Sequence, residues 1–141
     1  RSTLFPYTTL FRSPYRFKGA APIEYAGMIT GGNGSYTHWR SDATIRVGSE
    51  RWNGTWGIQY IGKADDINTD TGPGSEVSGV LYHNAQFAYR VTESIDVAVG
   101  VDNLFDKDAP FVSSWTDANT DTMTYDLLGR RWYLRASWNL Q

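Results

Sequence analysis

The chain has no cysteine, which excludes a disulfide framework and any thiolate metal site. It has no run of about 18 apolar residues, so none of it reads as a transmembrane helix. It also lacks an excess of charge of one sign. Thirteen basic residues face fifteen acidic ones, which removes the basic surface that nucleic-acid binding needs. Long stretches of Ala, Leu, Glu and Lys are missing, and with them the expectation of helices. What the chain does have is six Trp, nine Tyr and six Phe in 141 residues, with fourteen Gly, a composition of strands and turns. Its negative mean hydropathy is compatible with a membrane β-barrel, in which only every second strand residue meets lipid. No secretory leader is visible, which says nothing about export if the chain begins inside a longer protein.

The first thirteen residues stand apart. Thr3 to Ser13 reads TLFPYTTLFRS, with Thr3-Leu4-Phe5 echoed at Thr9-Leu10-Phe11, and looks like the translation of a sequencing-library adapter. Residues 1–13 are therefore expected to be non-native, and the natural protein to enter near Pro14. The alternative is a genuine strand interrupted by Pro6, a residue tolerated mainly at sheet edges and bulges.

Five segments alternate with period two. Trp39, Ala43, Ile45 and Val47 oppose Arg40, Asp42, Thr44 and Arg46. Trp56, Ile58 and Tyr60 oppose Gly57 and Gln59. Ala85, Phe87, Tyr89 and Val91 oppose Asn84, Gln86 and Arg90. Ile95, Val97, Val99 and Val101 oppose Asp96, Ala98, Gly100 and Asp102. Trp132, Leu134, Ala136, Trp138 and Leu140 oppose Arg131, Tyr133, Arg135, Ser137 and Asn139. A sixth, weaker strand is expected over 15–18. Short connections, at 49–54 with Asn53-Gly54 as the turn signal and at 92–94, alternate with long polar ones at 19–37, 65–78 and 105–127. This pattern predicts an all-β, antiparallel up-and-down meander of five to six strands. Short turns at one end and long loops at the other are the pattern of an outer-membrane barrel. With the short turns on the inner side, Trp39 and Trp132 fall near the outer rim and Trp56 and Trp138 near the inner rim, as two aromatic girdles require. A soluble sandwich also alternates, so a carbohydrate-binding β-sandwich with exposed Trp and Tyr is the competing reading.

Two motifs add a family resemblance. Gly100-Val101-Asp102-Asn103-Leu104-Phe105-Asp106-Lys107 resembles the G-V-x-N-L-F-D-K stretch near the end of TonB-dependent receptors. Tyr125-Asp126-Leu127-Leu128-Gly129-Arg130-Arg131-Trp132-Tyr133 resembles the Y-D-x-x-G-R-R-aromatic-aromatic opening of their final strand. The motifs come in the expected order, separated by a long loop. The resemblance covers residues 14–141 and implies the C-terminal part of a large plugged transmembrane barrel of about 22 strands. Such receptors sit in the bacterial outer membrane and import siderophore-iron, vitamins such as cobalamin, haem or oligosaccharides. The partners it implies are outer-membrane lipid, an upstream plug domain and the remaining barrel strands. It further implies the TonB complex, contacted through that upstream part, and the barrel-assembly machinery that reads the last strand. One departure is that family members usually end on an aromatic residue, whereas this chain ends Trp138-Asn139-Leu140-Gln141.

On that resemblance the lumen face carries Arg40, Asp42, Arg46, Gln59, Arg90, Asp96, Asp102, Arg131 and Arg135, expected to act within the wall and against the plug. Phe111, Trp115 and Asp117 in the last long loop are candidates for touching ligand. Asp66, Asn68 and Asp70 space three oxygens as an EF-hand loop does, and Asp117, Asn119 and Asp121 repeat the spacing. However, Gly72 comes one place late, position twelve is Val77 rather than Glu, and the second loop has no Gly. Two solvated acidic loops are the simpler reading. His38 and His83 have no motif partner and read as rim or interface residues. No nucleophile–base constellation and no cofactor motif is present in the order of residues, so the chain is expected not to be an enzyme and to need no cofactor.

Overall fold

The computed structural model describes residues 2–10, 14–15, 18–19, 21–115 and 117–139. Among these there is no helix. The strands, in chain order, are β1 (Ser2–Leu10), β2 (Pro14–Tyr15), β3 (Ile23–Glu24), β4 (Met28–Thr30), β5 (Gly34–Tyr36), β6 (Trp39–Gly48), β7 (Trp52–Ile61), β8 (Ala64–Asp66), β9 (Glu76–Val77), β10 (Val80–Arg90), β11 (Ile95–Asp102) and β12 (Arg131–Trp138).

The long strands form one six-stranded antiparallel sheet in the order β1-β6-β7-β10-β11-β12. From β6 onward it is a meander, and each predicted alternating segment is one of its strands. Register follows the alternation, because a slip of one residue would reverse every side chain. One row runs Ile45–Trp56–Ala85–Val101–Trp132, and the row beside it runs Arg46–Thr55–Gln86–Gly100–Tyr133. The apolar residues of five strands thus share one face and the polar residues share the other. The Ser2–Leu10 strand lies antiparallel on β6, with Pro6 opposite Ala43, an edge position where proline's missing N–H costs little. Any β-prone peptide can add to a free sheet edge, so this pairing carries no information about the segment's origin. Of the expected strand over 15–18, Tyr15 belongs to β2, which pairs with β3, while Lys18 and Gly19 turn. Residues 16 and 17 lie outside the described set, as do Leu140 and Gln141.

Two local expectations are corrected. Asn53 and Gly54 are not the turn. They lie inside β7, opposite Gly48 and Val47, and the chain reverses at Ser49–Arg51, closed by the Ser49 N–H donating to the Trp52 carbonyl at 2.7 Å. A Cβ on Gly48 would sit 2.5 Å from that carbonyl oxygen, so the glycine that matters precedes the turn. The tryptophan beside the turn is consequently Trp52, stacked on Phe87. Trp56 sits in mid-strand, level with Trp132, and not at the inner rim.

The long connections are not bare loops. A second sheet, β5-β4-β8-β9, joins the first two of them, with β4 and β8 running parallel. The third connection packs onto it. The buried core is here: Ile29, Ile61, Ala64, Val77, Val80, Tyr82, Val112, Trp115 and Tyr125. The ends of β7 and β10 contribute Ile61, Val80 and Tyr82, and the loops supply the rest. This cap sits at the loop end of the sheet.

Candidate functional site

Outside the cap, the two faces of the main sheet differ in chemistry and exposure. On the apolar face Trp132 is 69%, Leu134 75%, Trp138 70% and Val99 45% exposed, whereas Ala98 on the opposite face is 5% exposed. Ile45, Trp56, Phe87, Val99 and Trp132 line an open trough there. Trp56 gives its indole N–H to His83 Nδ1 at 3.2 Å, and Phe105 stands edge-on to the His83 ring at 5.0 Å. His83 thereby finds its partners among aromatic rings.

The polar face carries the predicted wall residues, and several meet across strands. Arg90 pairs with Asp96 at 3.4 Å, Gln59 donates to Asp42 at 3.2 Å, and Arg131 lies 3.8 Å from Asp102. Arg135 stands opposite Ala98, and Arg46 opposite Thr55. Arg40 differs: its Nε and Nη2 are buried and have no hydrogen-bond partner. The Tyr133 ring lies over Gly100, where an added Cβ would overlap the ring, and its hydroxyl donates to Gln86 Oε1 at 3.1 Å. The glycine of the G-V-x-N-L-F-D-K motif is therefore the seat of an aromatic side chain from β12.

The two motifs clasp one another. Asn103, in the left-handed region at φ 49°, gives its side-chain amide to the Lys107 carbonyl at 2.9 Å and accepts the Lys107 N–H at 2.8 Å. This turn presents Asp106, whose carboxylate accepts the Arg130 N–H at 2.8 Å and lies 3.7 Å from the Arg130 guanidinium. Asp126 accepts from Arg131 at 2.8 Å and from the Leu128 N–H at 3.0 Å, and its own N–H donates to the Tyr82 hydroxyl. Burial alone would raise the Asp126 carboxyl, but the Arg131 and Leu128 hydrogen bonds and the Arg131 charge hold it below its ordinary value. The span between the motifs is thus closed at its base by charge-assisted bonds, the stronger kind.

Above this clasp, between the polar face and the last long loop, lies a cavity of about 310 Å³. Gln59, Tyr82, Asn84, Asp102 and Arg131 reach it from the sheet, and Met123, Thr124, Tyr125 and Asp126 from the loop. Tyr125 is 4% exposed, with its hydroxyl buried. Burial pushes this phenol up from its ordinary value. A hydrogen bond with the Ser35 hydroxyl works against that shift, and Ser35 in turn donates to Asp121 at 2.6 Å. Asp102 and Arg131 were expected on this face. Tyr82 and Asn84 were not singled out as site residues, although extending the alternation of β10 upstream would have placed both beside Gln86.

The candidate loop residues take different places. Trp115 is buried in the cap core at 6% exposure, so its ring is not presented to a ligand; Phe111 is 51% exposed and Asp117 is exposed. Asp66 is buried and fastens two loops by accepting the Asn68 N–H at 3.0 Å and the Ser114 N–H at 3.0 Å. Asp121, also buried, accepts from Ser35 and from the Met123 N–H at 2.9 Å. Asn68 and Asp70, like Asn119, are exposed. Among the described residues no group of three or more His, Asp or Glu is placed to hold a metal ion.

No protein-family model matches the chain, and no curated protein matches it in sequence. Among solved structures the chain is similar to a mutant of the ferric enterobactin receptor of Pseudomonas aeruginosa, with a TM-score of 0.55 and 18% identity over 72% of this chain. The match spans 16% of that receptor's chain. At this identity the likeness is one of fold: the strands of this chain are arranged like a portion of that receptor.

Proposed function

We propose that this chain is part of the wall of an outer-membrane receptor barrel of the TonB-dependent kind, serving nutrient uptake and not catalysis. The observation that carries the reading is the bare apolar face. Five consecutive strands hold their apolar residues in register on one side, and that side stays exposed while the buried core lies in the cap. In a water-soluble sandwich a second sheet would cover such a face. Here the small sheet belongs to the cap, and Leu134, Trp132 and Trp138 remain open. Strands of 8 to 11 residues suit a tilted crossing of the hydrocarbon layer. The motif resemblance and the fold shared with an outer-membrane receptor support the same assignment.

In this reading lipid covers the apolar face and the polar face lines the interior against a plug domain. TonB acts on that upstream plug, and the assembly machinery engages β12. The loop cap faces outward and takes part in choosing the substrate. The test is expression of the intact protein that carries this chain, followed by membrane fractionation and gel mobility with and without boiling. Recovery in the outer-membrane fraction with heat-modifiable mobility is expected. A soluble, detergent-independent monomer would instead favour the carbohydrate-binding sandwich.

A further inference from the structure

Two asparagines in the chain precede a glycine, Asn33 and Asn53. That dipeptide carries its own reaction. The glycine N–H gives up its proton and the nitrogen attacks the asparagine side-chain carbonyl carbon. A C–N bond forms, ammonia leaves with the proton, and water then opens the five-membered succinimide at either carbonyl. The products are aspartate and isoaspartate, the second with one more methylene in the main chain. Water is the one co-reactant. Glycine has no Cβ to shield its nitrogen, so this pair reacts faster than asparagine before Thr or Leu, as at Asn68, Asn103 and Asn119.

The fold separates the two pairs. Both asparagines are exposed, so access to solvent does not distinguish them, but the backbone does. Asn53 and Gly54 lie inside β7, where Gly54 is paired with Val47 of β6 on one side and Phe87 of β10 on the other. The attack needs the main chain to leave that geometry, and an interior strand of a six-stranded sheet opens at high cost. Asn33 instead closes a turn, and Gly34 begins β5, the edge strand of the small sheet, opposite Thr30 of β4. Gly32 at φ 87° and Gly34 at φ 90° leave this tip little stiffness. Opening costs least at such a strand end.

The surroundings of the tip give the reaction a consequence. Gly34 lies under the last long loop, where a Cβ on it would sit 3.6 Å from Thr124 Oγ1 and 3.8 Å from Asp121 Oδ2. Beside it the Ser35 N–H donates to Thr124 Oγ1 at 3.2 Å, and the Ser35 hydroxyl donates to Asp121 at 2.6 Å. These bonds latch the first long connection to the third. Conversion of Asn33 sets a new carboxylate two residues from the Ser35–Asp121 bond, and Asp121 is fully buried, so like charges repel there. Isoaspartate also lengthens the chain ahead of Ser35 and takes both donors out of register.

We propose that Asn33 is a site of spontaneous deamidation, and that its conversion is a one-way release of the latch between the first and third connections. Asn53 is spared by its place in the sheet. This release depends on the cap and not on what covers the apolar face.

The intact protein is aged folded at mildly alkaline pH in heavy-oxygen water, digested in acid and read by mass spectrometry, beside a sample aged unfolded in urea. A succinimide opened during ageing keeps one heavy oxygen, which marks it apart from earlier conversion. In urea the Asn33 and Asn53 peptides are expected to convert at similar rates. In the folded protein Asn33 is expected to convert several-fold faster than Asn53. Aged folded protein should then exchange amide hydrogen several-fold faster than fresh protein over 33–36 and 119–125, with 80–90 unchanged. Asn33→Gln, whose longer side chain closes its ring far more slowly, should suppress both changes. The site assignment is overturned if Asn33 survives ageing in the folded protein or if Asn53 converts as fast there. Conversion of Asn33 with exchange unchanged overturns the release.

Discussion

The main sheet and the cap are built from the same chain by different rules. In the cap, Ile29 and Val112 are fully buried, and Val77 is 2% exposed. Buried aspartates there accept loop N–H groups, as interior polar groups must. The cap is organised as a small water-soluble domain is. In the sheet large apolar side chains stay open, with Leu134 at 75% exposure on the apolar face. Water alone does not stabilise such an arrangement, since a broad exposed apolar surface marks a place where something else binds. The connections fold into a core closed against water, and the sheet leaves an apolar face open.

The largest effect should come from the cap core. Trp115→Ala removes a buried indole and should cost about 3–5 kcal/mol of local stability. Hydrogen exchange should accelerate in residues 26–37 and 64–77 while β11 and β12 stay protected. Acceleration across the sheet as well would merge the two regions into one cooperative unit and erase the contrast.

Next comes the apolar face. In the intact barrel Val99→Arg should cost about 2–4 kcal/mol if the residue sits near the bilayer midplane, read from urea titration of refolding into lipid. The comparison position on the polar face is Ser137, which is exposed. Ala98 would be a poor control because it is already covered. Ser137→Arg should change stability by less than about 1 kcal/mol.

Gly100→Ala tests the seat of Tyr133. The new Cβ overlaps the ring, so the ring must leave and its bond to Gln86 is lost, at about 1–3 kcal/mol. Combining it with Tyr133→Ala should relieve most of that cost, and strict additivity of the two would show that the ring was not the obstacle.

The smallest effect is the acid response of the clasp. The Asp126 carboxyl is held below its ordinary value of 3.8. Its contribution is therefore present above that value and is lost as pH falls through the lower, folded one. Proteolytic nicking of the 105–127 loop should rise as pH drops below about 4. Asp126→Asn should nick faster at neutral pH and depend less on acid, while an unchanged pH profile would remove Asp126 from the clasp.

Much of the sheet was legible because strand alternation is a local code. Residues such as Ile95, Val97, Val99 and Val101 declare one face within seven positions, and pairing then fixes the register. The two motifs were visible for the same reason, although their mutual clasp, Asp106 to Arg130, needed the fold. The cap was not legible. Ile29, Val77, Val112 and Trp115 lie in stretches without strand alternation and become a core only when three connections meet. Tyr82 and Ile61 obscured the pattern further, since they sit on the polar face of the sheet but point into that core. The Asn53-Gly54 pair misled because its turn chemistry is real in isolation, yet the close approach at Gly48 placed the reversal three residues earlier than expected. Of the cavity residues, Tyr82 and Asn84 share β10 at a spacing of two, whereas Tyr125 comes from the last long loop, and no spacing along the chain connects it to them.

Lipid contact of the apolar face is tested most directly on β12, whose residues beyond Arg131 are exposed on both sides. Single nitroxide labels are placed at positions 132 to 137 of the intact protein in lipid bilayers, on a background in which any cysteine outside this cysteine-free chain is replaced. Oxygen, which concentrates in the hydrocarbon layer, and a water-soluble nickel chelate then report each label's surroundings by spin relaxation. Contact with lipid predicts a two-residue period, with oxygen dominating at Trp132, Leu134 and Ala136 and the chelate gaining at Tyr133, Arg135 and Ser137. Equal accessibility to both reagents along the strand, or the chelate reaching Leu134 as readily as Arg135, would contradict it.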